Sequence, residues 1–478
     1  MLQKRSFYID GQWVPPTNER ELTVIDPSTE LPFAVISNGS GSDVDRAVAA
    51  AAAAFNTWSK ASPSVRAQLV GRLLEIYDRR AHEMARVIAH EMGAPIDMAL
   101  QKQVGAGRWH IRNFLSAFKH FEFSRPLGAN TPNDRIWVDP IGVVGLITPW
   151  NWPMNQVTLK VVPALLAGCS MVLKPSEVAP LSSMLFAEYI DEAGFPPGVF
   201  NLVNGDGAGV GSHLSSHPDI AMISFTGSTR AGIAISSAAA PSLKKVVLEL
   251  GGKGANLVFA DSDPEAVRRG VLRCFSNTGQ SCNAPTRMLV ERSIYECAVA
   301  EARLCAEAVA VDSAHRPGNH IGPLASDVQF HKVQEMIQRG ISEGARLVAG
   351  GLGRPRGHSH GYFVRPTVFA DVDNQMSIAR DEIFGPVLCM IPFDSEEEAI
   401  KIANDTPYGL ANYVQSSDEE KCKRVAAQLR SGMVEMNGVS PGPGAPFGGV
   451  KASGRAREGG IWGIEEFLEV KSISGWPA

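Results

Sequence analysis

The chain has 478 residues, 44% hydrophobic and 20% charged, with a formal net charge of −5. That length holds two or three domains with a deep core, and so small an acidic balance, with no basic tract, excludes a nucleic-acid surface and a polybasic membrane patch. Seven cysteines without a Cys-x-x-Cys spacing suit free thiols in a reducing compartment, so a soluble cytoplasmic protein is expected.

The opening MLQKRSFYIDGQWV carries no apolar targeting core, and Asp10-Gly11 reads as a hairpin turn. The most apolar stretches, residues 47–55 and 161–173, are too short to span a bilayer, so no membrane association is expected. Residues 120–140, HFEFSRPLGANTPNDRIWVDP, have strand-like ends around a Gly/Asn/Pro turn, and EEFLEVKSISG near the end is strand-like too. These pieces lie outside both main blocks and could pair across a subunit boundary.

From residue 141 to 260 short apolar runs alternate with helical stretches: GVVGLIT, SMVLK, GVFNLV, AMISF and KKVVLEL are the strands. Buried strands separated by helices imply a doubly wound α/β domain, with ligands at the carboxyl ends of its strands. A second alternating block follows, of about 200 residues. Its predicted helices include DPEAVRRGVLRCFSN, SIYECAVAEARLCAEAVAV, SEEEAIKIAN and DEEKCKRVAAQLR; its strands include TRMLVER, YFVRPTVFA, VLCMIPF, GLANYVQ and MVEMN.

The chemistry-bearing residues cluster at strand ends. Asn151 in TPWNWP is either a turn amide or a donor for a developing oxyanion, and Trp150 and Trp152 beside it could be core. KPSE places Lys174 and Glu177 where a carboxylate can accept from both hydroxyls of an adenosine ribose. NGDGAGVG and FTGSTRAG both offer glycines for phosphate; the second has a strand, Gly227 and then a helix containing Gly232. Glu249 in LELGGKGAN is either a solvent-facing strand residue or an acid buried to serve as a base near neutral pH.

In FSNTGQSCNAPTR, Cys282 stands among hydroxyl, amide and glycine residues, which suits a poised nucleophile as well as a structural thiol. Cys297 and Cys305, among alanines and valines on one helix, fit buried structural thiols instead. The HSH at 358–360, flanked by glycines, reads as an exposed loop, and no metal site is expected.

Taken in order, PWNWP, LKPSE, FTGSTRAG, LELGGK, NTGQSC, EIFGPV and PFGGVKASGRARE resemble the NAD(P)-dependent aldehyde dehydrogenase superfamily over nearly the whole chain. The resemblance implies an aldehyde dehydrogenase-like α/β fold: two doubly wound α/β domains, cofactor and catalytic, plus a small β oligomerisation element. The expected division is residues 1–118 and 141–251 for the cofactor domain, 252–452 for the catalytic domain, and 119–140 with 453–478 for the oligomerisation element.

It also implies roles. Cys282 matches the nucleophile that forms a thiohemiacetal and then a thioester, Asn151 with the Cys282 N–H the oxyanion hole, and Glu249 the base that activates hydrolytic water. Lys174 and Glu177 match the adenosine ribose contacts, Gly227 with Ser228 the pyrophosphate region, and Glu382 and Phe384 the residues that hold the nicotinamide ribose and ring; Trp150, Ser176, Gly207, Phe225 and Leu250 complete the implied cofactor contacts. NAD is the expected cofactor because Glu177 repels a 2′-phosphate, with NADP the alternative if the side chain swings aside. A homodimer or homotetramer is implied.

The substrate side departs from choline-type members. Leu159 stands where the family often has tryptophan, and GVSPGPGA ahead of Phe447 brings no aromatic, so a cage for a quaternary ammonium is absent. Gln156, Ser276, Ser281 and Asn283 add polarity to the expected channel, and a modest aliphatic or aromatic aldehyde fits best. An acylating relative that passes the thioester to coenzyme A would not need Glu249, and a retired structural protein would not keep Cys282, Glu249 and Asn151 together.

Overall fold

The structure, a computed structural model, describes residues 1–477, leaving aside the Pro132 side chain. Two seven-stranded sheets organise it. In the first, five parallel strands run in the spatial order Lys245–Glu249, Met222–Thr226, Val143–Thr148, Ser170–Pro175 and Phe200–Leu202. The hairpin Phe7–Ile9/Gln12–Val14 then extends that sheet antiparallel, turning at Asp10 and Gly11, both at positive φ as the sequence required.

The second sheet is ordered Arg346–Ala349, Thr367–Ala370, Val387–Phe393, Arg287–Glu291, Ala255–Val258, Ala411–Gln415 and Met433–Met436, parallel except at its first edge. Parallel strands need both faces covered, and each sheet lies between two apolar clusters. The strands read from the sequence are therefore present, shorter than the apolar runs in some cases: YFVRPTVFA contributes only Thr367–Ala370.

Ser124–Gly128, Thr131–Pro140 and Leu468–Ser474 pair antiparallel as a small sheet within one chain, so the two strand-like pieces of the sequence find each other directly. The segment just before the last strand does something else. Gly454 bridges Glu249, and Phe447 and Glu458 bridge each other, which lays residues 447–458 over the end of the first sheet. Among the described residues no helix is long and apolar enough to cross a membrane.

Two helices position the cleft. Pro153–Ala167 begins on proline, which needs no N–H partner there, and every side chain from Met154 to Ala167 except Asn155 is buried. Gly105–Phe118 packs along it and buries Gly107, Ile111, Phe114 and Phe118.

Candidate active site

Helix Ala266–Phe275 ends immediately before a strained turn: Asn277, Thr278 and Gly279 are all left-handed, at φ 55°, 57° and 71°. Two consecutive non-glycine residues in that region cost energy that the surroundings must offset. Asn277 Nδ2 donates to the carbonyls of Asn151 (2.9 Å) and Gln280 (3.2 Å), and Thr278 Oγ1 donates to that of Gly322 (3.0 Å). Gln280 holds both sides, Nε2 donating to the Asn277 carbonyl at 3.2 Å and Oε1 accepting from Ala325 N–H at 2.9 Å. At Gly279 a Cβ would stand 2.1 Å from the Gly385 carbonyl oxygen, so only glycine fits.

This turn delivers Cys282, half-buried, beside Ser281, whose hydroxyl accepts from Trp152 Nε1 at 2.8 Å. The polar residues around Cys282 thus serve the turn as well as access. Asn151 is buried and its Nδ2 donates to the Gln280 carbonyl at 3.0 Å, which uses one of its two amide hydrogens and leaves the other. Gln103, from a distant helix, donates to the Asn151 carbonyl and to Asn277 Oδ1, both at 3.1 Å, and fixes the pair.

Glu249 ends the strand Lys245–Glu249 and is 1% exposed, which settles its orientation: it is not a solvent-facing strand residue. Three residues on, a Cβ at Gly252 would lie 2.4 Å from the Cys282 carbonyl oxygen, so the two segments touch. Neither Glu249 carboxylate oxygen has a hydrogen-bond partner among the described residues. Burial, and then the neighbouring Glu458, pushes the Glu249 carboxyl well above its ordinary range, with Lys160 and Arg457 opposing. Burial, followed by the carboxylates of Glu249, Glu382 and Glu458, also pushes the Cys282 thiol up.

Behind Glu249 lies an ion pair absent from the sequence reading. Lys160 Nζ donates to Glu458 Oε1 at 2.6 Å and to Ser224 Oγ at 3.2 Å, with the lysine side chain fully buried. The signal was present: Lys160 is the one charged residue in the helical run PMNQVTLKVVPALLA, and a charge buried there needs a partner.

The residues expected to hold a dinucleotide lie along the carboxyl ends of the first sheet. Lys174 is buried and donates to Glu177 Oε2 at 3.0 Å, while Glu177 keeps a part-exposed carboxylate. Ser176 Oγ caps the local turn at Val178 N–H. Ser228 caps helix Thr229–Ala239, directly after Gly227, with the Phe225 ring beneath. Leu250 packs against Gly232 in that helix. Gly207 begins the turn Gly207–Gly211 after Asp206, exposed at Gly207 and Ala208 and buried at Val210 and Gly211.

Toward the other sheet, Glu382 Oε1 accepts from Gly252 N–H at 2.9 Å. Phe384 adopts φ 61°, held by Gln329 Nε2 on its carbonyl at 2.8 Å, and meets the Trp150 ring edge-on at 5.5 Å between centroids. A carboxylate–lysine pair, a capped helix N-terminus and a second carboxylate match the ribose, pyrophosphate and second ribose of a dinucleotide, so the donor set fits such a group.

A cavity of about 470 Å³ lies between the two helices and the 440–460 segment, lined in part by Trp109, His110, Asn113, Asn155, Leu159 and Phe447. Leu159 and Phe447, the two expected channel residues on this wall, both line it. Gln156 is buried, and the residues of its helix that reach this cavity are Asn155 and Leu159. Ser276, Ser281 and Asn283 are likewise absent from its lining; Ser281 is bound to Trp152, and the Asn283 carbonyl accepts from Tyr413. Trp109, His110, Asn113 and Asn155 were not anticipated.

The thiols also sort differently. Cys169, Cys274, Cys389 and Cys422 are the buried ones, whereas Cys297 is exposed and Cys305 half-buried, since small neighbours on both sides of a helix do not tell which face is covered. His358 Nε2 donates to the Val311 carbonyl at 3.1 Å and its ring packs on Phe363, and His360 is exposed.

A family model described as "Aldehyde dehydrogenase family" matches residues 13–473. A curated relative from a Pseudomonas species, named 3-succinoylsemialdehyde-pyridine dehydrogenase, is 52% identical over 479 aligned positions, covering 100% of this chain and 99% of that protein. The crystal structure of an aldehyde dehydrogenase from Bartonella henselae superimposes with a TM-score of 0.99 at 61% identity, covering both chains in full. That of a mutant aldehyde dehydrogenase C from Pseudomonas syringae, in complex with NAD+ and octanal, gives 0.97 at 50% identity, covering 99% of this chain and 97% of the other.

Proposed function

The chain belongs to the aldehyde dehydrogenase family, and on that premise we propose that it oxidises an aldehyde to the carboxylic acid through Cys282, Asn151 and Glu249, with NAD as cofactor. The observation that carries this reading is the convergence of the three segments: Asn151 Nδ2 reaches the Gln280 carbonyl two residues before Cys282, Gly252 closes on the Cys282 carbonyl, and Glu249, with both oxygens unpartnered, is near enough to raise the Cys282 thiol.

Cys282 Sγ adds to the aldehyde carbon, and its thiol proton must leave. Glu249, whose carboxyl burial holds well above the ordinary carboxylate range, is the base kept for the later hydrolysis, so the thiol proton is released to solvent. The free Asn151 amide hydrogen and the Cys282 backbone N–H steady the negative oxygen that forms. A bound NAD would supply the acceptor for the hydride that leaves the former aldehyde carbon. Lys174, Ser176 and Glu177 would hold its adenosine, Ser228 and its helix the pyrophosphate, and Glu382, Phe384 and Trp150 its nicotinamide side. The acyl group then rests on Cys282 as a thioester, and Glu249 takes a proton from the water that hydrolyses it.

Glu177 favours NAD over NADP, since its part-exposed carboxylate repels a 2′-phosphate. The relative named for a pyridine-bearing semialdehyde and the neighbour crystallised with octanal bracket the tail, an aryl ketone or an alkyl chain. The cavity lies within the usual range of small-molecule sites.

The sheets support the division into residues 1–118 with 141–251, 252–452, and a self-association element from the small sheet. Its outer strands are unpaired on one side among the described residues, and Val470 is 71% exposed, which favours a homodimer or homotetramer. All seven cysteines are free thiols, in keeping with the cytoplasm.

The test is reduced-nicotinamide formation by the purified protein with a panel of aldehydes, with NAD or NADP, with and without coenzyme A. Turnover without coenzyme A, larger kcat/KM with NAD, and loss of at least about 10⁴-fold in Cys282→Ala are expected. Turnover only with coenzyme A, or a Cys282→Ala enzyme that still turns over, overturns the reading.

A further inference from the structure

Away from the cleft, two groups among the described residues bring an aspartate and two histidines together: Asp26 with His90 and His315, and Asp45 with His213 and His217. In each, one ring nitrogen of both histidines and a carboxylate oxygen lie within 4.8 Å of one another. The ring protons tell the two apart. His217 Nδ1 accepts from Asp219 N–H at 3.1 Å, so the neutral ring carries its proton on Nε2, the nitrogen that faces Asp45 at 3.4 Å. That group holds a proton where a metal ion needs a lone pair.

The first group is built the other way. His90 Nδ1 meets the Arg86 carbonyl at 3.1 Å; a carbonyl only accepts, so Nδ1 carries the proton and Nε2 keeps its lone pair. His315 Nε2 donates to Asp26 Oδ2 at 2.7 Å, and its Nδ1 is bonded to nothing among the described residues, so the ring proton can move to Nδ1 and free Nε2. Asp26 is buried, and its other oxygen accepts from Ser28 N–H at 2.8 Å, which aims Oδ2 at the histidines. Ser28 Oγ accepts from Ala314 N–H at 3.0 Å, and the Ala314 carbonyl from Ile96 N–H at 2.8 Å, so the segment carrying His315 is already docked. Ligands whose far side is hydrogen-bonded are the usual arrangement around a bound metal. The rings of His90 and His315 stand 4.3 Å apart between centroids, and no hydrogen bond joins them.

We propose that Asp26 Oδ2, His90 Nε2 and His315 Nε2 bind one divalent transition-metal ion of the zinc class. Two imidazoles and a carboxylate suit zinc, cobalt or nickel, whereas calcium and magnesium take oxygen ligands. Ligand atoms around a tetrahedral zinc stand ~3.3 Å apart, so His315 must draw back from Asp26 by about half an ångström and the exposed His90 ring must swing in. Water completes the set. Asp26 and His315 are 289 positions apart, so no metal-like spacing marks the site along the chain. Asp26 ends the strand Glu21–Asp26, and His90 lies in the last turn of helix Ala81–Met92, which packs on that strand. His315 follows helix Tyr295–Ala308, which packs on the second sheet. The ion therefore clips a segment from the second sheet's half of the chain onto the first. That segment runs on to Gly322, whose carbonyl accepts from Thr278 in the turn that carries Cys282.

The experiment titrates the chelator-stripped, full-length protein with zinc chloride by calorimetry, follows its thermal midpoint, and repeats the titration with cobalt for its absorption spectrum. One saturable equivalent per chain is expected, with a midpoint raised by a few degrees at saturating ion. In His90→Ala and in Asp26→Asn the affinity should fall at least about tenfold, while Asp45→Asn leaves it unchanged. His90 is exposed, so its variant tests the site without disturbing the core. The cobalt complex should show visible d–d bands without a thiolate-to-metal band in the near ultraviolet, which separates this site from the seven cysteines. No saturable equivalent of zinc, cobalt or nickel, or no rise in midpoint on binding, overturns the proposal. A thiolate band, an affinity unchanged in either His90→Ala or Asp26→Asn, or a loss in Asp45→Asn places the ion elsewhere and overturns it too.

Discussion

Two places in this molecule bury a charged side chain, and they treat it in opposite ways. Arg287, on the strand Arg287–Glu291, is wholly buried and every arm of its guanidinium is spoken for. Nε donates to the Lys253 carbonyl at 3.2 Å, one terminal nitrogen to Asn374 Oδ1 and the Ile402 carbonyl, and the other to the Ala403 carbonyl, each of these at 2.9 Å. Glu249 is as deeply buried, and neither oxygen has a partner among the described residues. Burying a charge without partners is expensive, so the fold tolerates it where a reacting proton needs a place to go. The arginine ties loops to a sheet; the glutamate is left unpartnered, with one oxygen against Gly448.

The comparison breaks first at Glu249. In Glu249→Gln, turnover should fall by about 10²–10³-fold, while rapid mixing still shows the first equivalent of reduced nicotinamide. The first equivalent survives because the substitution also removes the carboxylate that, after burial, does most to hold the Cys282 thiol up. Wild-type turnover in this variant would remove Glu249 from the hydrolytic step. At Arg287 the opposite pattern is expected. Arg287→Met leaves the four acceptors without donors, and should cost about 3 kcal/mol of stability. Its thermal midpoint should drop by several degrees while kcat/KM per folded molecule stays within about twofold. A large kinetic loss with an unchanged midpoint would mean that the arginine serves the site and not the frame.

How much of this could be read from the residues follows the same division. The parallel strands were legible because a buried strand leaves an unbroken apolar run, and Cys282, Glu249 and Asn151 because each stands out from its neighbours in type. Partners from far along the chain were not legible. Gln103 sits in a stretch with nothing to mark it, yet it pins Asn151 and Asn277. Lys160 and Glu458 are 298 positions apart and meet because the 447–458 segment folds back over the first sheet. The cavity wall shows the limit most clearly. Gln156 looked like a channel residue and is buried, while Asn155, its neighbour, faces the opening, a difference of one step around a helix. Cys297 illustrates the same step in reverse, exposed on a helix where small apolar neighbours suggested cover.

The smallest expected effect is the most informative about how the open carboxylate is tuned. After burial, the neighbour that most raises Glu249 is Glu458, itself paired with Lys160. Glu458→Gln removes that negative charge and keeps an amide oxygen able to accept from Lys160, so the buried lysine stays bonded. With Lys160 still opposing protonation, the Glu249 carboxyl then falls toward its ordinary range. The active form of Glu249 is the carboxylate, so activity rises with pH as it loses its proton. A lower pKa makes that form available in more acidic solution, and the acid limb of the kcat profile should move to lower pH. The driving force for proton transfer to Glu249 drops with its basicity, so the plateau kcat should fall modestly at the same time. A limb that stays in place would mean that Glu249 does not sense Glu458 during turnover. A limb that moves the other way would mean that the lysine, not the glutamate, loses its charge when the pair is broken.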